Sequence, residues 1–342
     1  MSSLPPASSS PFTRAVVSSM RKLYPESLAE KSFDNTGLLL EAPYNPSQKQ
    51  NNSVLLTIDL TKAVADEAIA RKDSIVIAYH PIIFRGLKSL TLNDPQQQSL
   101  LRLAQEGISV YSPHTAVDAT PGGMADWLCD LVTGSIVPRA AAPRSIPKSS
   151  STQHYSEPVY PQPGPVTAAS ASAVVPHSRS TIHPSPLPVP DGMDAAGMGR
   201  LVTFDTPQPL TAVVDRIATG VGLPAGIPVA IPQSCTSTDA VTVRSVGVCP
   251  GSGSSVLLRP PPGGQIPDLL FTGELSHHEA LAAIERGSSV VALSHSNTER
   301  GYLRAVMQQK LTDALRQEWS EEFTVGVSER DRDPYGVMIR QA

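Results

Sequence analysis

The chain has 342 residues, 40 % of them hydrophobic and 17 % charged, with a formal net charge of −4. That length supports two domains or one large α/β unit with real cores, and the charge excludes a broad basic surface for nucleic acid. Cys129, Cys235 and Cys249 are widely spaced and form no C-x-x-C pair, which suits a reducing compartment, and no apolar run is long enough to span a bilayer.

Residues 1–137 read as an N-terminal α/β half. Met1 to Pro11 is rich in serine and proline, and Arg14, Arg21 and Lys22 precede the first acidic residue, Glu26. A mitochondrial presequence can have that spelling. Ser10 and Pro11 equally suit the N-cap and first position of a helix with Val16, Val17, Met20 and Leu23 on one face, the simpler reading. The chain is therefore placed in the cytoplasm, with the mitochondrion as the alternative. Val54–Ile58 reads as a buried strand, and Thr61 caps a helix through Arg71. Ile75–Ala78 is a second strand. Asp94-Pro95 opens a helix that Gly107 closes, Ile108–Tyr111 is a third strand, and Met124–Val132 a helix. Apolar strands alternating with amphipathic helices predict a mostly parallel sheet flanked by helices.

Twelve of the 33 prolines fall in residues 138–190, with many serines, one acidic residue and no Phe or Trp. Such a stretch buries too little apolar surface to offset its ordering entropy. It predicts a disordered insertion over 138–199. The strand–helix rhythm returns over 200–342, the C-terminal α/β half. Leu201–Phe204, Val243–Cys249, Leu269–Thr272, Val290–Leu293 and Phe323–Val327 read as strands. Pro209–Thr219, Ser276–Arg286 and a segment ending near Trp319 read as helices. The expected architecture is thus α/β, two halves each built on a mostly parallel sheet. Ligands of such sheets gather at the carboxyl ends of strands.

Five of the eight histidines fall in these halves, in short motifs at the ends of strand-like runs: His80, His114, His277, His278 and His295. His154, His177 and His183 fall in the Pro/Ser-rich stretch. Imidazole and carboxylate without nearby thiolate form the ligand set of a catalytic Zn, Fe or Mn centre. His80 directly follows a strand and is held extended by Pro81; a lone histidine there is more often a core residue bonded to a carbonyl. His114 and Asp118 are four apart, so one turn can present both, although Asp118 also suits an Asx turn before Pro121-Gly122. His295 and Glu299 flank a capping-box spelling, Ser296-x-x-Glu299. Ser276-His277-His278-Glu279 is a second one, in which Glu279 is structural. Its two histidines, at the positive end of a helix, tend to stay neutral, where they hold a phosphate or move a proton rather than ligate metal. Gly251 to Ser255 is a weak phosphate-loop signal, and no Walker A, G-x-G-x-x-G or G-x-S-x-G spelling occurs.

Taken in order, the motifs resemble those of the Nif-three family (Ngg-interacting factor three-like, or GTP cyclohydrolase type 2 homologs). They are Leu23-Tyr24-Pro25, Phe33-Asp34-Asn35-Thr36-Gly37-Leu38, Tyr79-His80-Pro81 with Phe84-Arg85 and Lys88, and His114-Thr115-Ala116-Val117-Asp118. Thr272-Gly273-Glu274 with His277-His278, His295 to Glu299, and Ser328 to Pro334 complete the set. The resemblance implies two α/β halves with a dinuclear metal site in the cleft between them. It implies His80, Asp118, His295 and Glu299 as ligands of two divalent ions per chain, with Glu299 as the natural bridge. The family's histidine before His80 is Tyr79 here; a neutral phenol is a poorer ligand, which puts one metal position in question. Phe33 stands where many relatives have Trp.

The leading functional expectation is a metal-dependent hydrolase of cyclohydrolase or phosphoester type, acting on a small-molecule or nucleotide-like substrate, with His277 and His278 as catalytic or substrate residues. The runner-up is a non-enzymatic metal-binding interaction protein or transcription-linked adaptor with a protein partner. A third is a metal or metabolite chaperone. The resemblance also implies a homo-oligomer.

Overall fold

The structure is a computed structural model and describes residues 8–47, 50–135, 153–156, 174–222, 226–260 and 263–340. The chain divides into two compact units. Unit 1 is Met1–Val117 with Val306–Arg332, and unit 2 is Asp118–Ala305 with Asp333–Ala342.

Unit 1 holds a five-stranded sheet in the order β1 (Gly37–Leu40), β4 (Ser109–Ser112), β3 (Ile75–Ala78), β2 (Ser53–Thr57), β12 (Thr324–Val327). All neighbours are parallel except β1 and β4. Helix α1 (Pro11–Leu23) begins where the sequence places it: Ser10 accepts from the Thr13 N–H, Pro11 follows, and Val16, Val17 and Met20 are buried. Such a cap is worth about 1 kcal/mol. Thr61 and Asp94 cap α2 (Lys62–Arg71) and α3 (Pro95–Gln105) in the same way. Leu55, Val64, Ala68, Val76, Leu103 and Val110 form one apolar core between these helices and the sheet. Each buried Val or Leu contributes roughly 1.5–3 kcal/mol.

Unit 2 holds a six-stranded sheet in the order β6 (His177–Pro184), β7 (Gly197–Pro209), β9 (Thr242–Ser252), β10 (Leu269–Glu274), β11 (Ser289–Ala292), β8 (Val229–Ala230). Only β9–β10 and β10–β11 are parallel; the remaining neighbours are antiparallel, so this sheet is mixed. Short helix α4 (Thr115–Ala119) leads the chain from unit 1 into unit 2. Helices α5 (Met124–Thr133), α6 (Leu210–Val221) and α7 (His277–Glu285) follow. Helix α8 (Gln308–Glu318) belongs to unit 1. A separate ribbon pairs β5 (Gln153–Ser156) with β13 (Val337–Arg340).

The unit boundaries differ from the sequence expectation. Part of the stretch expected to be disordered is ordered sheet: β6 pairs with β7 along its length, and its residues are exposed or half-buried. An edge strand needs only one partner and half a buried face, so polar composition does not prevent it. His177 and His183 within it are bonded to the carbonyls of Val175 and Val256. Residues 138–152 and 157–173 of that expectation lie outside the described residues. The supposed C-terminal half also sends residues 306–332 into unit 1, where β12 pairs with β2.

Candidate metal centre

In unit 1 the candidate side chains stand at the carboxyl ends of β2, β3 and β4. His80 follows β3, and its Nδ1 lies 2.9 Å from the Asp59 Oδ1. An ionised carboxylate only accepts, so Nδ1–H donates and the ring presents Nε2. Asp59 is itself held: the Asp331 carboxylate accepts from the N–H groups of Ile58 at 2.7 Å and Asp59 at 3.4 Å. Tyr79 is buried, its ring centroid 5.0 Å from His80 and 5.3 Å from His114.

His114 follows β4 with a left-handed backbone, φ +32°. A non-glycine residue there is strained and persists only when its surroundings fix it. Here Asp34 does so: Oδ1 lies 2.6 Å from the His114 Nδ1, and Oδ2 accepts from the Thr115 N–H at 3.2 Å and from its hydroxyl. Burial pushes the Asp34 carboxyl up, but the His114 and Thr115 hydrogen bonds outweigh it and hold the carboxyl below its ordinary value of 3.8. The folded value therefore lies below the unfolded one. The stability Asp34 contributes is complete above the unfolded value and lost as pH falls through the folded one. We expect Asp34→Asn to be less stable than the parent at neutral pH, with the difference closing well below about pH 4. Urea titrations across that range check this; a difference that stays constant would refute it.

In unit 2, β9, β10 and β11 deliver Gly251, Glu274 and His295 at their carboxyl ends. The His295 Nδ1 lies 2.9 Å from Glu274 Oε1, and its Nε2 lies 3.5 Å from Glu299 Oε1. Glu299 is 1 % exposed. Ser294, just before His295, has φ +70°, a second strained non-glycine backbone beside a candidate histidine. The capping box expected over Ser296–Glu299 does not form. The Ser296 hydroxyl donates to Asp333 at 2.5 Å instead, and His295–Thr298 is a turn of 3-10 helix. Glu279 does complete the box at Ser276, with Ser276 N donating to Glu279 Oε2 at 2.8 Å.

Asp118 is also buried in unit 2. The Cys249 thiol is pushed up by its own burial and then by the charges of Asp118 and Glu299, while Arg200 offsets part of this. Both carboxylates therefore lie within electrostatic reach of Cys249 in β9. Arg200, nearly wholly buried, clamps Asp126 with Nε and Nη2, both at 3.1 Å, and donates to the Gly197 carbonyl at 2.7 Å. It also approaches the carbonyls of Ala119 and Thr120, next to Asp118, at 3.4 and 3.5 Å.

Gly251 shapes the space beside these donors. With φ +58°, a Cβ there would sit 2.8 Å from Glu299 Oε1 and 2.9 Å from His295 Nε2. The loop is fixed by Thr298, whose hydroxyl accepts from the Gly251 N–H at 2.9 Å, and by Thr272, which donates to the Gly251 carbonyl at 3.0 Å. The donors are imidazole nitrogen and carboxylate oxygen, with a hydrogen atom where any other residue would put carbon. They fit a divalent metal. Among the described residues of unit 2, His295 and Glu299 are candidates to hold one.

His277 and His278 stand exposed in the first turn of α7, ring centroids 5.2 Å apart. Among the described residues no hydrogen bond or ion pair joins them to His295 or Glu299. Asp59 and Asp34 behind the unit 1 histidines, the clamp residue Arg200 and the steric role of Gly251 are not evident from the sequence, which places Glu274 at a strand end but not its bond to His295. A signal existed for the carboxylates: each lies at or just beyond a strand end, or in a motif already singled out.

A family model described as Duf34/NIF3 (NGG1p interacting factor 3) matches residues 13–334. The NIF3 homolog of Schizosaccharomyces pombe is 42 % identical over 93 % of this chain and 95 % of its own. NGG1-interacting factor 3 of Saccharomyces cerevisiae is 34 % identical over 94 % and 96 %. A crystal structure of a Bacillus cereus protein related to NIF3 superposes with a TM-score of 0.64 at 20 % identity, covering 94 % of this chain and 98 % of that one, which shows the shared fold.

Proposed function

We propose, on the premise that this chain belongs to the Duf34/NIF3 (NGG1p interacting factor 3) family, that it is a metal-dependent hydrolase of cyclohydrolase or phosphoester type. His80, Asp118, His295 and Glu299 would hold two divalent ions, Zn, Fe or Mn. The observation that carries this reading is the gap at Gly251, which faces His295 Nε2 and Glu299 Oε1. Bound metal lowers the pKa of a coordinated water and polarises the bond under attack. The chain's own residues orient the donors: Asp59 and Glu274 fix the tautomers of His80 and His295, and Glu299, deeply buried, would offer its carboxylate to the metal. His277 and His278, at the positive end of α7, bind an anionic substrate group or move a proton. A homo-oligomer belongs to the same reading.

Metal analysis of chain purified without chelator, followed by a nucleotide and phosphoester screen, tests this. We expect divalent metal in the parent and a marked loss in Gly251→Ala. The added methyl would crowd both donors, while the left-handed backbone costs about 1–2 kcal/mol. Full metal in that variant, or a parent without metal, contradicts the reading.

One observation favours the runner-up, a metal-binding adaptor: the yeast relative is named for an interaction with NGG1. Bound metal that does not exchange, with no turnover in the screen, selects it.

A further inference from the structure

Unit 1 carries a group of side chains that the metal reading does not use. Phe33 and Phe84 are 54 % and 44 % exposed. Their ring centroids are 6.4 Å apart with an interplanar angle of 43°. Two exposed aromatic rings side by side form an apolar patch that a flat ligand ring can cover. They are also held in place. The Asn35 side-chain amide donates to the Ile83 carbonyl, tying the loop of Phe33 to the loop of Phe84. Phe84 packs edge-on against His114 at 6.3 Å. That imidazole is anchored through Nδ1 on Asp34, which leaves Nε2 as its remaining polar atom. Beyond Phe84 follow two exposed cations, Arg85 and Lys88.

We infer that Phe33 and Phe84 form a shelf for the base of a nucleotide, with Arg85 and Lys88 taking its phosphate and His114 facing the base edge. The ring planes meet at 43°, so a flat base stacks on one face and meets the other ring obliquely. Stacking is tolerant of sequence because every base has a π-face, while the cations select an anionic ligand over a neutral heterocycle. A purely apolar peptide would use the shelf but not the cations. The inference rests on the proposed function for its chemistry and gives that site its substrate class.

The test uses the full chain, stripped of metal with chelator and dialysed, titrated calorimetrically with AMP, GMP, CMP, UMP and ribose 5-phosphate in turn. We expect at least one nucleotide to bind about tenfold or more tighter than ribose 5-phosphate, the size of one stacked base. Phe33→Leu with Phe84→Leu should abolish that preference, and Phe84→Tyr, which keeps an aromatic face, should retain it. Arg85→Gln with Lys88→Gln should weaken nucleotides and ribose 5-phosphate alike. The inference is overturned if no nucleotide binds tighter than ribose 5-phosphate, or if the double leucine variant keeps the preference. Metal content of each untreated variant separates the two readings. Lost base preference with full metal concerns the shelf alone, and a parent that binds nucleotide but no metal sinks the metal site alone.

Discussion

Glu299→Gln is expected to lose most of its bound metal while remaining folded. The substitution keeps shape and removes the charge from a side chain that is 1 % exposed and 3.5 Å from His295 Nε2. His80→Ala should lose metal as well. Asp59→Asn, which disturbs only the carboxylate behind His80, should lose less, in the roughly 10–100-fold range typical of groups that orient a ligand. Tyr79→His should strengthen binding by supplying the imidazole that the phenol replaces. In the parent, binding should weaken in acid, because imidazole must be neutral to ligate. Metal stoichiometry across these variants and pH values decides the matter. If Glu299→Gln and His80→Ala both keep full metal, the ligand set is wrong.

Arg200→Met should destabilise the chain by about 3 kcal/mol, the low end of the cost of removing one partner from a buried charge pair, because Asp126 keeps Arg179. Arg200 is 2 % exposed, and its fork holds Asp126, which also receives Arg179 at 3.3 Å. Arg200→Lys keeps the charge but loses the planar two-point grip, so it should recover only part of the loss. Because Arg200 also reaches the backbone just after Asp118, reduced metal content should accompany reduced stability. Urea unfolding of both variants checks the first effect; a change below about 1 kcal/mol would place the pair with weak surface bridges instead.

Strands and helices with a local signal were legible in the sequence. The run Ile75–Ala78, the cap at Ser10 and the box at Ser276 are all found where their spelling puts them. What was not legible depends on distant partners. Strand β6 is polar because it is an edge, and its place is fixed by pairing with β7 rather than by its own pattern. Ser296 and Glu299 spell a cap, yet the hydroxyl goes to Asp333, 37 positions on. Histidines at strand ends could be singled out. Which carboxylate stands behind each could not, since Asp34 meets His114 across 80 positions. Gly251 reads as a turn until the two side chains it faces are known.

The interleaving of the two units has a consequence for how the chain is made. Unit 1 begins with the first residues, but its sheet lacks β12 until residues 324–327 exist, and the loop of Asp59 lacks its Asp331 support until slightly later. Nearly all of unit 2 lies between. On the ribosome, where domains fold as units from the N-terminus onward, the six-stranded sheet of unit 2 is fully translated while the first sheet still has an open edge along β2. The part synthesised first is therefore finished last, and a chain that stops short of about residue 324 would carry a nearly complete second unit attached to an unfinished first one.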